Sequence, residues 1–123
     1  MIIIQTDKAP AAIGPYSQAM VSGGLVFTSG QIPIDPNTGA VVDGNVTVQP
    51  EQVMLNLGAV LAAAGSSFDK VVKATCFLAS MDDFADFNAV YGKYITNKSA
   101  RSCVAVRCLP KNVLCEVEAI AEV

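Results

Sequence analysis

The chain has 123 residues, with eight Lys and Arg against eleven Asp and Glu, no histidine and a net charge of −3. Hydrophobic residues make up 52% and charged residues 15%, so one domain, 1–123, is expected to hold a substantial core and to bury further apolar surface against copies of itself. A nucleic-acid backbone is set aside as partner because the basic residues are scattered, and a membrane span because no apolar run approaches ~20 residues.

In chain order, residues 1–5 read as a short edge strand. The apolar run there is too short for a secretory signal and lacks a basic flank, which with the cysteine usage points to a cytoplasmic protein, with an organellar one as the alternative. The stretch Lys8 to Tyr16 carries two prolines and a glycine, so it reads as a restrained loop that places Tyr16. Gln18–Ser22 and Leu25–Pro33 flank Gly23-Gly24, a hairpin turn that needs positive φ. The second strand ends in Thr28-Ser29-Gly30-Gln31-Ile32-Pro33, where Gly30 marks a bulge or a close backbone approach. Asp35 to Gly39 is a turn cluster.

Thr47 is the expected N-cap of a helix with Pro50 and Glu51 in its first turn. Val53, Leu57, Val60, Leu61 and Ala64 form its apolar stripe, and Gly65 stops it. The strand Val71–Leu78 is largely apolar on both faces, so cover on both is expected. Ser80-Met81-Asp82-Asp83 opens a second helix whose expected buried stripe is Phe84, Phe87, Asn88, Tyr91 and Ile95. A buried Asn88 amide needs hydrogen-bond partners and could orient a strand or a ligand.

Two further strands are expected at 101–108 and 113–122, joined by the turn Leu109-Pro110-Lys111-Asn112. Alternation places Arg101, Cys103, Ala105 and Arg107 on one face of the first. In the second, Val113, Cys115, Val117, Ala119 and Ala121 oppose Glu116, Glu118 and Glu122. An arginine-bearing face and a glutamate-bearing face thus fall in neighbouring strands, and by spacing alone that is the pattern of a solvated charged pair.

The absent histidine removes the commonest general base and metal ligand, and with it any Ser-His or Cys-His nucleophile. Cys76, Cys103, Cys108 and Cys115 include no paired short spacing, so no metal site is expected, and buried thiols in strands are. The element order is βββαβαββ. Two helices can cover only one face of such a sheet. The other face, expected to carry Arg101 and Cys103, needs a neighbouring subunit, and an arginine in such a cleft needs an anionic partner.

Four stretches in the right order cover nearly the whole chain. They are Ala11 to Gln18, Thr28 to Pro33, Phe84 to Asn88, and Ala100 to Val104 continuing through Leu109-Pro110 to Glu116–Ala121. Together they resemble the RidA/YjgF family of reactive enamine/imine deaminases. The resemblance implies an α+β, chorismate-mutase-like fold: a mixed sheet of about six strands, two helices on one face, and a homotrimer formed through the other. It also implies hydrolysis of 2-imino acids such as 2-iminopropanoate and 2-iminobutanoate to 2-keto acids and ammonia, with no cofactor. By position, Arg101 resembles the carboxylate-binding arginine and Glu116 the glutamate that holds the attacking water. Cys103, Tyr16, Ser29, Gly30 and Asn88 match the remaining cleft positions, some of them supplied by a neighbouring subunit. Arg107 is left as a structural arginine. The join Thr96 to Arg101 departs from the family pattern, being short and without proline ahead of Ala100-Arg101, which bears on substrate size.

A non-catalytic small-acid-binding module using the same cleft is the alternative of a different class. A ribonuclease reading fits poorly with an acidic chain that has neither histidine nor a basic patch.

Overall fold

The structure, a computed structural model, describes residues 1–123. Six strands form one sheet: β1 (Ile2–Ile4), β2 (Ala19–Ser22), β3 (Leu25–Thr28), β4 (Val71–Leu78), β5 (Ala100–Ala105) and β6 (Cys115–Glu122). Two helices, α1 (Gln49–Ala63) and α2 (Phe84–Tyr94), cover one face. The strand order is β1-β2-β3-β6-β4-β5, antiparallel except for the parallel pair β4–β5. The result is the expected mixed six-stranded α+β sheet.

Local chemistry explains the elements. Gly23 and Gly24 have φ of 61° and 80° and close the β2–β3 hairpin. At the end of α1, Gly65 is left-handed with φ 80°, its N–H donates to Ala62 O, and Ser66 N–H donates to Leu61 O. That is the glycine stop that frees the chain to turn toward β4. Val53, Met54, Leu57, Val60 and Leu61 of α1 are fully buried against the sheet, as is Phe87 of α2. Each large apolar side chain so buried contributes ~1.5–3 kcal/mol. Glu51 of α1 accepts from Lys93 and Tyr94 and joins the two helices.

Several expectations are corrected. Thr47 does not cap α1; the N-cap is Val48, and Thr47 instead donates to the Asn45 side chain in the preceding turn. In α2 the buried side chains are Phe87, Val90 and Tyr91, while Asn88 is exposed, because α2 sits at the sheet margin and buries a narrower stripe. Val72 and Lys73 of β4 are exposed: Val72 is the unpaired residue where the register with β6 shifts, and Lys73 lies on the sheet face that has no cover within the chain. Cys108 lies beyond β5 and is exposed, whereas Cys76 and Cys115 are buried.

The strands carrying Arg101 and Glu116 are not neighbours. β4 lies between them. The reason is the crossover: β5 follows β4 through α2, so it must run parallel to β4 and takes its free edge. The turn at Leu109–Asn112 belongs to a longer connection from Val106 to Leu114, in which Lys111 and Asn112 adopt left-handed φ of 57° and 54°.

The faces are also distinct. Cross-strand register partners share a face. Cys103 pairs with Cys76, and Arg101 with Ala74, both fully buried on the helix side. Glu116 pairs with Phe77 on the uncovered side. Arg101 and Cys103 therefore belong to the helix-covered face, and the expectation that they line the open face is overturned. Alternation defines two sets of side chains but does not say which set meets the helices.

Candidate active site

The first half of the site is built by a break in pairing. β3 pairs with β6 from Leu25↔Glu122 to Phe27↔Ile120, and pairing resumes at Gln31↔Val117, so three residues (28–30) oppose two (118 and 119). This is a β-bulge at the position that Gly30 marks in the sequence. Thr28 Oγ1 accepts from Ala119 N–H at 3.0 Å, replacing the missing backbone partner. Ser29 donates its hydroxyl to Ser17 O at 2.5 Å and its N–H to Gln18 O at 2.9 Å, which ties the bulge to the loop carrying Tyr16.

The bulge brings the Gly30 backbone against the Glu116 carboxylate. A Cβ at Gly30 would stand only 2.8 Å from Glu116 Cδ. Glycine here leaves the space that the Glu116 carboxyl end occupies, and its φ is unremarkable. Glu116 is half-buried, and burial raises its pKa above the ordinary 4.5, with Glu118 raising it further. Tyr16, Ser29, Gly30, Lys111 and Glu116 line a cleft of about 380 Å³.

The second half lies across the sheet, between α2 and the free edge of β5. Arg101 Nη1 donates to Asn88 Oδ1 at 2.6 Å. The guanidinium carbon sits 4.7 Å from the Tyr91 ring centroid and 5.6 Å from that of Phe84. One amide acceptor and two ring faces fix the guanidinium plane. No carboxylate neutralises it, because the chain's single ion pair is Lys93 with Glu51. With one N–H committed to Asn88, the remaining donors of the fork can grip a carboxylate bidentately. Asn88, Tyr91, Lys98, Ser99 and Arg101 line an open cleft of about 460 Å³.

Cys103 is partly exposed on the same face, beside Cys76 at one register position. Burial pushes the Cys76 thiol up to about 12. Cys103 is raised as well, by burial, with Arg101 opposing. Neither is a ready thiolate nucleophile at neutral pH. Arg107 is exposed beyond β5 and lines neither cleft.

The candidate residues thus separate into two groups within one chain. Tyr16, Ser29, Gly30 and Glu116 gather on one side; Asn88 and Arg101, with Cys103 nearby, gather on the other. Sequence reasoning did not find the buried polar supports. Gln18 accepts from Thr6 N–H and donates to Thr6 O and Pro10 O, holding the Tyr16 loop. Asn56 donates to Ile32 O and Ile34 O at 3.0 and 2.9 Å, holding the segment after the bulge. The signal for Asn56 was present: a lone amide amid the apolar positions Val53, Leu57 and Val60.

The family model described as Endoribonuclease L-PSP matches residues 6–123. The chain is similar to the 2-iminobutanoate/2-iminopropanoate deaminase of Salmonella typhimurium, with 48% identity over 122 residues, 96% of this chain and 94% of that protein. It is similar also to AldR of Lactococcus lactis, whose name proposes a regulator, with 52% identity over 124 residues, 100% of this chain and 98% of that one. Among solved structures, Escherichia coli TdcF with bound serine matches with a TM-score of 0.94 and 42% identity, covering 100% of this chain and 99% of that one. The chain belongs to the RidA/YjgF family.

Proposed function

We propose that the protein is a hydrolytic deaminase of 2-imino acids, assembled as a homotrimer in which the Arg101 cleft of one subunit meets the Glu116 cleft of the next. The observation that carries this reading is the separation of an unneutralised arginine fork and a half-buried, proton-accepting carboxylate onto opposite sides of one sheet. Each half alone is incomplete for the chemistry. Exposed Phe27 and Val104 on the uncovered face supply apolar surface for association.

In this arrangement Arg101 binds the substrate carboxylate and sets the position of the imine carbon. Glu116 holds a water and accepts its proton as the oxygen adds to that carbon. The resulting amino alcohol loses ammonia once the nitrogen takes up a proton, and the products are a 2-keto acid and ammonia. Hydrolysis needs only water as co-reactant. The raised pKa of Glu116 makes it a better base once ionised. Tyr16, Ser29, Gly30, Asn88 and Cys103 shape and support the two halves. The similar deaminase of Salmonella supports the reaction class, and the serine bound to TdcF supports a site for a small amino-acid-like carboxylate.

The four cysteines are free, which suits a reducing cytoplasm. A net charge of −3 with scattered basic residues disfavours RNA as substrate despite the description of the family model.

The test is the loss of 2-iminobutanoate generated in situ, read by competition with semicarbazide. Acceleration of keto-acid release supports the proposal. A second reading, favoured by the name of AldR, is a small-acid sensor. Tight keto-acid binding with no acceleration of imine loss would select it instead.

A further inference from the structure

The Arg101 cleft contains two cations and no carboxylate. Lys98 lies three residues before Arg101, is exposed, and has no anionic partner in the chain. The two Cα atoms are at most ~10 Å apart along extended backbone, and both side chains line the same open space.

The Lys98 backbone is held firmly. Asn97 Nδ2 donates to Asp69 O at 3.1 Å and to Val71 O at 3.0 Å, while its Oδ1 accepts from Ser99 N–H at 3.0 Å. These bonds pin the turn to the start of β4. Lys98 itself is left-handed with φ 55°, a conformation that glycine or asparagine adopts with less strain. Lys98 stands beside an arginine with no acid in the chain to pair with, so its ammonium is free for a ligand. The hydroxyls of Tyr91 and Ser99 are buried behind this cleft, beside each other, and leave the two cations as its charged lining.

Resting on the deaminase reading, we propose that Lys98 binds a second carboxylate, so that the imines this chain prefers are short dicarboxylic 2-imino acids. Arg101 takes the carboxylate beside the imine carbon and Lys98 takes the one at the far end. A second cation also offsets the repulsion that a dianion meets when Glu116 approaches from the adjoining subunit. The turn that Asn97 pins to the start of β4 places Lys98 at this cleft.

The experiment compares kcat/KM for a dicarboxylic imine, made in situ from glutamate by an amino-acid oxidase with dioxygen as oxidant, with that for 2-iminobutanoate. Wild type, Lys98→Gln and Lys98→Arg are compared. The expected result is a dicarboxylic preference in wild type that drops about fivefold in Lys98→Gln, chiefly through KM, and returns in Lys98→Arg. An unchanged ratio in Lys98→Gln overturns the inference. So does a Lys98→Gln chain that changes assembly size by gel filtration, since Lys98 is then an interface cation. If wild type accelerates neither imine, the deaminase reading fails separately, and calorimetry of 2-oxoglutarate against 2-oxobutanoate decides the second anion site. Preferential 2-oxoglutarate binding that is lost in Lys98→Gln upholds the site; equal affinities reject it.

Discussion

Arg101 and Glu116 stand on opposite faces of one sheet, with β4 between their strands. A small substrate cannot touch both within a single chain, because the sheet intervenes. In the proposed assembly the pair becomes a site when one copy presents its helix-side edge to the open face of another.

Gly30→Ala is expected to disable the Glu116 half with little loss of stability. The new methyl group collides with the Glu116 carboxyl end, a flexible side chain that can swing aside, so the fold accommodates it. The carboxylate then leaves its working position, and a displacement of that order costs ~10²-fold in kcat. Thermal melts and turnover measured on the same preparation check this. A variant with native turnover would show that Glu116 does not work from this position.

For Glu116 the sign of the pH effect is set by its raised pKa. Ionising a carboxyl whose folded pKa lies above its unfolded value costs folding free energy. The stability it contributes is fully present below the unfolded pKa, near the ordinary 4.5, and is lost as pH rises through the folded value. Glu116→Gln is therefore expected to melt higher than wild type at pH 7, with the gain vanishing at acid pH, while turnover falls ~10²-fold or more. A lower melting temperature at pH 7 would mean that Glu116 stabilises the fold and is not held at a cost.

At the other half, Arg101→Lys is expected to fail almost as badly as Arg101→Ala, each losing ~10²-fold or more in kcat/KM. An ammonium keeps the charge but neither the planar fork nor the stacking on Tyr91. Tyr91→Phe keeps the ring and should keep carboxylate binding, whereas Tyr91→Leu should weaken it. Keto-acid titrations of the four variants check the series. Full binding by Arg101→Lys would reduce the clamp to a point charge.

A thiol-specific alkylating reagent at neutral pH is expected to label Cys108 first and Cys103 slowly. Cys76 and Cys115, both buried and both pushed up to about 12, should react only after unfolding. Peptide mapping over a time course reads the order. Fast labelling of Cys103 would reveal thiolate character that its surroundings oppose.

Much of this was legible in the residues. The Gly23-Gly24 hairpin, the Gly65 stop, the Gly30 bulge and the pairing of Arg101 with Cys103 on one strand face all follow from glycine placement and alternation. The position of β4 between β5 and β6 did not follow, because Leu109-Pro110-Lys111-Asn112 has the composition of a hairpin turn while the α2 crossover decides the edge β5 takes. The face of Arg101 was misassigned for a related reason: alternation sorts side chains into two sets and is silent on which set the helices cover. Asn88 read as buried because it falls on the apolar spacing of α2, whereas the margin of the sheet leaves that spacing uncovered. The residue types at the site came from the ordered motifs, since spacing alone gave only a charged strand pair.

The most direct test of the account is complementation between two inactive chains. Arg101→Ala retains an intact Glu116 half, and Glu116→Gln retains an intact Arg101 half. Co-expressed in equal amounts and purified through a different tag on each, mixed trimers should regain about a third of wild-type deaminase activity, because any mixed trimer has one site in three that joins an intact arginine to an intact glutamate. Mixed oligomers no more active than either parent would contradict a site shared between subunits.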